Sequence, residues 1–265
     1  MKYDLTDTTF IIPLRIESGD RMRNVITSLC YLMENFDTNI IVKEGDETSV
    51  FTEDVLPQVK SFLEVDELPN FTFLFEKTNT PEFHRTRYLN EMTHIATTKV
   101  VVNYDCDIIL PIETYIKCQS MIVEGPSDVV YPYGFGNYAK MVTVNDEIVT
   151  EFLTEGFSIN LLEKNSKLNV ARFGFCQFFD REVYISGGGE NEDFIAYAPE
   201  DEERAFRFMT LGYKVDRVDG FAYHLEHVRT PNSWYNNPHM KRNFALWEKL
   251  QTMDKQQLIE YYNLS

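Results

Sequence analysis

Asp105 and Asp107 flank Cys106 in the stretch K-V-V-V-N-Y-D-C-D-I-I-L-P, which runs from Lys99 to Pro111. Two carboxylates one residue apart can hold a hard divalent cation, and a cation held in this way grips phosphate. The β-branched run Val100 to Val102 suits a strand buried on both faces. The carboxyl end of such a strand is where open α/β sheets bind ligands. Taken alone, D-x-D is also an ordinary turn with solvated carboxylates. The apolar residues on both sides, Ile108 to Leu110 among them, favour the metal.

His224 and His227 form a second donor pair, in H-L-E-H. In an extended strand, residues i and i+3 point to opposite faces, so a turn is needed for both rings to meet one metal. Without it the pair is one packed and one surface histidine. Two imidazoles joined by one carboxylate suit Mn²⁺. Glu200 and Asp201 follow Pro199 at the expected start of a helix. There the dipole favours an ionised carboxylate, the state a general base needs. The other acids from Glu190 to Glu203 read as a solvated face. Gly187 to Gly189, just upstream, read as a mobile flap over a site or as a plain loop. Arg15, Arg85 and Arg87 stand near a strand end or a helix start, and a guanidinium pairs phosphate oxygens two at a time.

The elements that must position these groups alternate. A strand is expected over Thr8 to Ile16, then a helix capped by Asp20, with Met22, Val25, Ile26, Leu29, Leu32, Met33 and Phe36 on its apolar face. Strands follow at Asn39 to Lys43 and Phe71 to Glu76. Helices follow at Phe51 to Leu63, interrupted by Pro57, and at Phe83 to Thr97. The order β-α-β-α-β-α-β implies a largely parallel sheet with helices on both faces. Beyond the Lys99 strand come a helix at Ile112 to Val123 and a strand-like run at Asp128 to Tyr133. A hairpin-bearing insertion is expected over Gly134 to Val170, with β-like runs at Met141 to Val144 and Glu147 to Phe152. Pro199 and Gly212 bracket a helix, Tyr213 to Arg217 is a strand, and Met240 to Tyr262 reads as one terminal helix.

Composition bounds the partners. The chain has 265 residues, 43% hydrophobic and 14% aromatic, enough for one large domain with a sizeable core. Its formal charge is −17, from 25 basic and 42 acidic residues, which argues against nucleic acid and anionic membrane as partners. A bound metal and a few arginines can still reverse the local potential for a phosphate ligand. Cys30, Cys106, Cys118 and Cys176 form no C-x-x-C and read as buried free thiols. No apolar signal core opens the chain and no transmembrane segment is expected, so a soluble, cytoplasmic protein is expected.

These blocks together resemble the GT-A glycosyltransferases, and within them the beta-1,4-galactosyltransferase type with its bacterial relatives. I-I-P-L-R at Ile11 to Arg15 is similar to the family's I-I-P-F-R, and F-H-R-T-R-Y-L-N at Phe83 to Asn90 to F-N-R-A-K-L-L-N. Y-D-C-D-I-I-L-P at Tyr104 to Pro111 is similar to S-D-V-D-L-I-P. G-G-x-N-E-D-F, an E-D pair, R-x-x-x-x-G-Y and a closing histidine block follow between Gly188 and Arg229. The resemblance implies a single GT-A domain over 1–265, with a nucleotide-binding half at 1–133 and an acceptor and catalytic half at 134–265. It implies a mixed, mostly parallel α/β sheet and a UDP-sugar donor bound by Pro13, Arg15, Arg85 and Asp105. Asp107, His224 and His227 would ligate Mn²⁺, or Mg²⁺, since His224 stands where animal enzymes carry a methionine.

Asp201 would be the catalytic base of an inverting transfer. Glu200 and Tyr197 would hold a glycan or glycoconjugate acceptor, Tyr197 replacing a tryptophan in W-G-W-G-G-E-D. Arg172 and Phe175 fall near the donor-sugar pocket. The expected activity moves a hexose or N-acetylhexosamine in surface polysaccharide synthesis. Two other classes share such a sheet: a nucleotidyltransferase or metal phosphohydrolase, and a non-catalytic carbohydrate-binding scaffold.

Overall fold

The buried run Phe10 to Leu14 ends β1 (Tyr3–Leu14), the strand about which the sheet is built. The computed structural model describes every residue except Ala198, Tyr235 and Ser265. After β1 the chain alternates through α1 (Gly19–Asn35), β2 (Phe36–Asp46), α2 (Leu56–Leu63), β3 (Phe71–Lys77), α3 (Arg85–Ile95) and β4 (Val100–Tyr104). Then follow β5 (Ile108–Ile109), α4 (Ile112–Val123), β6 (Val129–Tyr131), β7 (Gly136–Val142), α5 (Asp146–Thr154), α6 (Ile159–Lys164) and β8 (Ser166–Ala171). The last third holds β9 (Cys176–Asp180), α7 (Arg181–Ser186), α8 (Glu200–Leu211), β10 (Val215–Arg217), β11 (Ala222–Leu225), α9 (Met240–Leu250) and α10 (Lys255–Tyr262).

The main sheet runs β10-β6-β9-β4-β1-β2-β3, and every strand in it is parallel except β9. It is the mixed, mostly parallel α/β sheet expected from the alternation. All of β4 is buried, as its unbroken apolar run requires. A smaller sheet runs β5-β11-β7-β8. Between the layers lies an aromatic cluster: the Phe10 ring meets Tyr104 at 5.4 Å, edge to face, and Phe36 meets Tyr115 at 5.0 Å. Among the described residues, no helix is long and apolar enough to cross a membrane.

Several boundaries differ from the sequence reading. Ser18 caps α1, accepting from Arg21 N at 3.2 Å, while Asp20 lies inside the first turn. The helix expected from Phe51 begins as a wide turn and becomes α2 only at Leu56, with Pro57 in its first turn, where a missing N–H is harmless. Glu147 to Phe152 is helical, within α5. Asn145 caps that helix, and Val149 and Phe152 form its buried stripe. So short a β-branched run is ambiguous between strand and helix, and packing decided it. The terminal helix is two helices, because Asp254 restarts the chain with a capping box to Gln257. All four cysteines are buried and free.

Candidate active site

The Asp105–Asp107 turn leaves the carboxyl end of β4 and is fixed by its own backbone. Ile108 N donates to Asp105 O at 3.2 Å, and Asp105 N donates to Phe175 O at 2.9 Å, because β9 runs antiparallel beside β4. Side chains from two helices hold the same loop. Ser28 Oγ donates to Cys106 O at 2.9 Å and Tyr31 OH to Leu110 O at 2.7 Å. Leu110 N donates to Tyr115 OH at 3.2 Å, and Tyr104 OH bonds the Ile108 carbonyl. Buried backbone groups are thus satisfied without a regular strand.

β11 carries the histidines to this loop. It pairs antiparallel with β5, His224 opposite Ile108, and Leu225 N donates to Asp107 O at 2.8 Å. The strand ends at Leu225, so the chain turns before His227. That break lets both rings face Asp107, as the i, i+3 spacing demanded. His227 Nε2 lies 3.1 Å from Asp107 Oδ2, and His224 Nε2 lies 3.6 Å from Asp107 Oδ1. One donor atom from each residue falls within 4.8 Å of the others.

The donor set fits a divalent metal. Asp107 Oδ1 and His224 Nδ1 are buried with no partner among the described residues, a costly arrangement unless a ligand completes it. His227 Nδ1 lies 2.8 Å from the Val228 carbonyl, which can only accept. Nδ1 therefore carries a proton, and a metal that displaces any proton from Nε2 would take that nitrogen's lone pair, the arrangement typical of a metal-binding imidazole. Burial works to push the Asp107 carboxyl up. The two imidazoles outweigh it and hold Asp107 below the usual carboxylate range, while burial pushes the His224 imidazole down.

These groups open into a cleft of about 750 Å³. Each residue to which the family resemblance gives a role lines it: Pro13, Arg15, Arg85, Asp105, Asp107, Tyr197, Glu200, Asp201, His224 and His227. Arg15 is occupied, its Nη1 donating to the Thr80 and Glu82 carbonyls at 2.9 and 3.0 Å. Arg85 donates to Asp105 Oδ1 at 2.9 Å and lies 4.0 Å from Glu200 Oε1, so one buried guanidinium bridges the D-x-D loop and the start of α8. Arg87 does not belong to the site. It pairs with Glu76 and Glu91 and is not among the residues lining the cleft.

Glu200 and Asp201 lie in the first turn of α8, after Pro199. Burial pushes the Glu200 carboxyl up to about 8, with the neighbouring Asp201 adding to it and Arg85 opposing. Burial also raises Asp201, against the pull of Arg204 and then Arg85. Arg204 Nη2 donates to Asp201 Oδ1 at 2.6 Å, yet the Asp201 side chain keeps 22% of its surface open. Glu190, which the sequence placed on a solvated face, is buried and paired with Arg204 at 2.5 Å. Breaking a buried pair of this kind costs about 3–5 kcal/mol. The glycine run is no flap over the site: buried Arg207 bonds the Gly187 carbonyl and donates to the Gly189 carbonyl at 2.7 Å.

Sequence reasoning missed Arg21, Arg229, Trp234 and the orientation of α9. Arg21 lines the cleft in the first turn of α1, and its Nε is buried with no partner among the described residues. Its position in the first turn of the helix that follows the opening strand was the available signal. The Arg229 guanidinium lies 5.7 Å from the Trp234 ring. Phe244 and Trp247 of α9 line the cleft, with Phe244 38% exposed.

A mixed seven-stranded sheet with the acid turn at its central strand's carboxyl end is the GT-A architecture. The solved structure of the mannosyltransferase PcManGT from Pyrobaculum calidifontis, in complex with GDP-Man and Mn²⁺, matches with TM-score 0.51 and 16% identity, covering 96% of this chain and 63% of that one. GalNAc-T7, solved with UDP, GalNAc and Mn²⁺, matches with TM-score 0.57 and 9% identity, covering 97% of this chain and 54% of that one. At these identities the likeness establishes the GT-A fold, and the chain spans less than two thirds of either neighbour's length. The catalytic domain of Drosophila beta1,4-galactosyltransferase 7, in complex with xylobiose, gives a TM-score of 0.47, too low to equate the two topologies. No family model matches the sequence, and no curated protein matches it.

Proposed function

We propose that the cleft is the active site of a metal-dependent glycosyltransferase, moving a hexose or N-acetylhexosamine from a UDP-sugar to a glycan or glycoconjugate acceptor. One observation carries the reading: the Asp107–His224–His227 triad and the Glu200–Asp201 pair open into one cleft, and Arg85 spans from Asp105 to Glu200. The fold neighbours, solved with GDP-Man or UDP and with Mn²⁺, support it.

Asp107, His224 and His227 would hold Mn²⁺ or Mg²⁺, which when bound supplies charge neutralisation for a diphosphate leaving group. Asp105, Arg85 and Pro13 form the nucleotide side, with Arg15 behind them. Arg21 and Arg229 are the further cations at the cleft for the diphosphate oxygens. Asp201 takes the proton from an acceptor hydroxyl. The freed oxygen attacks the anomeric carbon as its bond to the diphosphate breaks, so the products are the glycoside, UDP and a proton. A single displacement inverts the configuration. Glu200, held neutral near pH 7, offers an O–H to an acceptor hydroxyl, and Tyr197 with Trp234, Phe244 and Trp247 gives sugar rings apolar faces to lie on. In this reading 1–265 works as one domain, with the nucleotide half at 1–133 and the acceptor half at 134–265. Its setting is cytoplasmic assembly of surface polysaccharide.

The test is calorimetric titration of UDP, with and without Mn²⁺, on the wild type and on Asp107→Ala, followed by transfer assays with a panel of UDP-sugars. Metal-dependent binding lost in Asp107→Ala, and transfer lost by about 10²–10⁴-fold in Asp201→Asn, support the reading. UDP binding indifferent to metal and to Asp107 would overturn it.

A further inference from the structure

Arg204 is buried within a sheet-facing turn of α8, and its guanidinium is shared among partners from different parts of the chain. Nη1 donates to Glu190 Oε1 at 2.5 Å, and Nη2 donates to Gln177 Oε1 at 2.9 Å and to Asp201 Oδ1 at 2.6 Å. The anchors are themselves fixed. Glu190 Oε1 also accepts from Asn103 Nδ2 at 2.8 Å and Tyr184 OH at 2.5 Å, and Gln177 Nε2 donates to Phe173 O at 2.7 Å. Glu190, Gln177, Asn103 and Tyr184 are all buried. Their sheet neighbours, β4 and β9, carry the D-x-D loop and the Phe173–Phe175 wall of the cleft.

We propose that Arg204 is a positioning residue: anchored to the sheet through Glu190 and Gln177, it fixes the Asp201 carboxylate so that Oδ1 is held and Oδ2 faces the cleft. The proposal rests on the reading of Asp201 as the base. A planar fork with donors on two nitrogens is what such a task needs, because it can hold several acceptors at fixed angles. Bonding one carboxylate oxygen leaves the other as the proton acceptor and removes a rotamer that would point away from substrate.

The charges around Asp201 are mixed. On its own helix stand Glu200, Glu202 and Arg204, and from other elements come Arg85, Asp105 and Glu190. Tyr131 and Tyr133 pack nearby and are kept neutral by burial. Of the two cations, only Arg204 bonds the carboxylate directly. Loss of the fork therefore favours the protonated acid, and activity that needs the carboxylate is lost at a higher pH.

Arg204→Lys is the test. It keeps the charge opposite Glu190, but a single ammonium cannot reach every anchor in the same plane. The expected result is a kcat lowered by about 10- to 100-fold with KM nearly unchanged. The acid limb of the kcat profile should move up by about one pH unit. The Asp201 carboxyl carbon, assigned by NMR through its disappearance in Asp201→Asn, should titrate higher by a similar amount. A folded Arg204→Lys protein with wild-type kcat and an unmoved Asp201 titration would overturn the proposal, and so would a lowered melting temperature with that titration unmoved. If Arg204→Lys does not fold, Arg204→Gln combined with Glu190→Gln removes both buried charges together, and the same readouts apply. Failure of the wild type to transfer any sugar would instead strike the reading of the cleft, and the carboxyl titration would still decide the role of Arg204.

Discussion

Gly174 lies directly against Asp201: a Cβ on Gly174 would stand 2.9 Å from Asp201 Oδ2. The Gly174 carbonyl is bonded by Tyr133 OH, so the backbone cannot retreat freely. Gly174→Ala should therefore turn the carboxylate without touching the metal side. Transfer falls by about tenfold, and UDP affinity in the presence of Mn²⁺ stays within twofold or so of wild type. Full activity in Gly174→Ala, measured by UDP release, would show that the orientation of Oδ2 is not critical.

Arg21 carries a buried Nε with no partner among the described residues, close enough to Asp107 to act on its carboxylate. If it meets the diphosphate, Arg21→Gln weakens UDP by about tenfold or more, the value of a charge-assisted hydrogen bond, and leaves uridine unaffected. Equal loss for UDP and uridine in calorimetry would place Arg21 on the nucleoside instead.

Ser28 reaches from α1 to the Cys106 carbonyl and holds the turn between the two aspartates. Removing the hydroxyl in Ser28→Ala leaves that buried carbonyl short of a donor and loosens the Asp107 ligand. The Mn²⁺ affinity should fall by about 10-fold, as for groups that orient metal ligands, with the melting temperature lowered by a few degrees. Unchanged metal affinity would show that Tyr31 and Tyr115 suffice to hold the loop.

Glu200 is pushed from 4.5 up to about 8 by burial. Its folded carboxyl then binds a proton more tightly than the unfolded chain does. Stability falls as pH rises through the window between these values and levels off above it. A tenfold difference in proton affinity between the two states corresponds to about 1.4 kcal/mol, so Glu200→Gln should flatten the decline between about pH 5 and 9. Urea midpoints at the two ends of that range measure it. An identical decline in both proteins would mean that Glu200 is ionised in the folded state.

The residue types of the candidate site were legible in the sequence because their signals are local. Val100 to Val102 with Asp105 and Asp107 beyond reads as a strand with acids at its end, and Pro199 with Glu200 and Asp201 reads as a charged helix start. The elements missed were those in which short range is ambiguous. Glu147 to Phe152 is a short β-branched run that suits a strand, but it buries Val149 and Phe152 on one side of a helix. Ser18 outcompetes Asp20 as a cap by a difference of two residues. Glu190 looked like one more surface acid, since nothing nearby in sequence shows that Arg204 and Tyr184 will enclose it.

By itself, then, the sequence determined the parallel alternation, the buried central strand and the residue types available for metal, phosphate and proton transfer, because hydrophobic period and side-chain chemistry are written residue by residue. The tertiary structure alone decided which of them meet. The antiparallel pairing of β11 with β5 brings His224 to Asp107 across more than a hundred residues, and Arg85 reaches Asp105 and Glu200 only once α3 and α8 have packed on the sheet. Charge selection belongs to the same level. Arg15, Arg85 and Arg87 are equivalent cations in the sequence, and their burial and partners separate one that spans the cleft from one held by backbone carbonyls and one spent on a surface network.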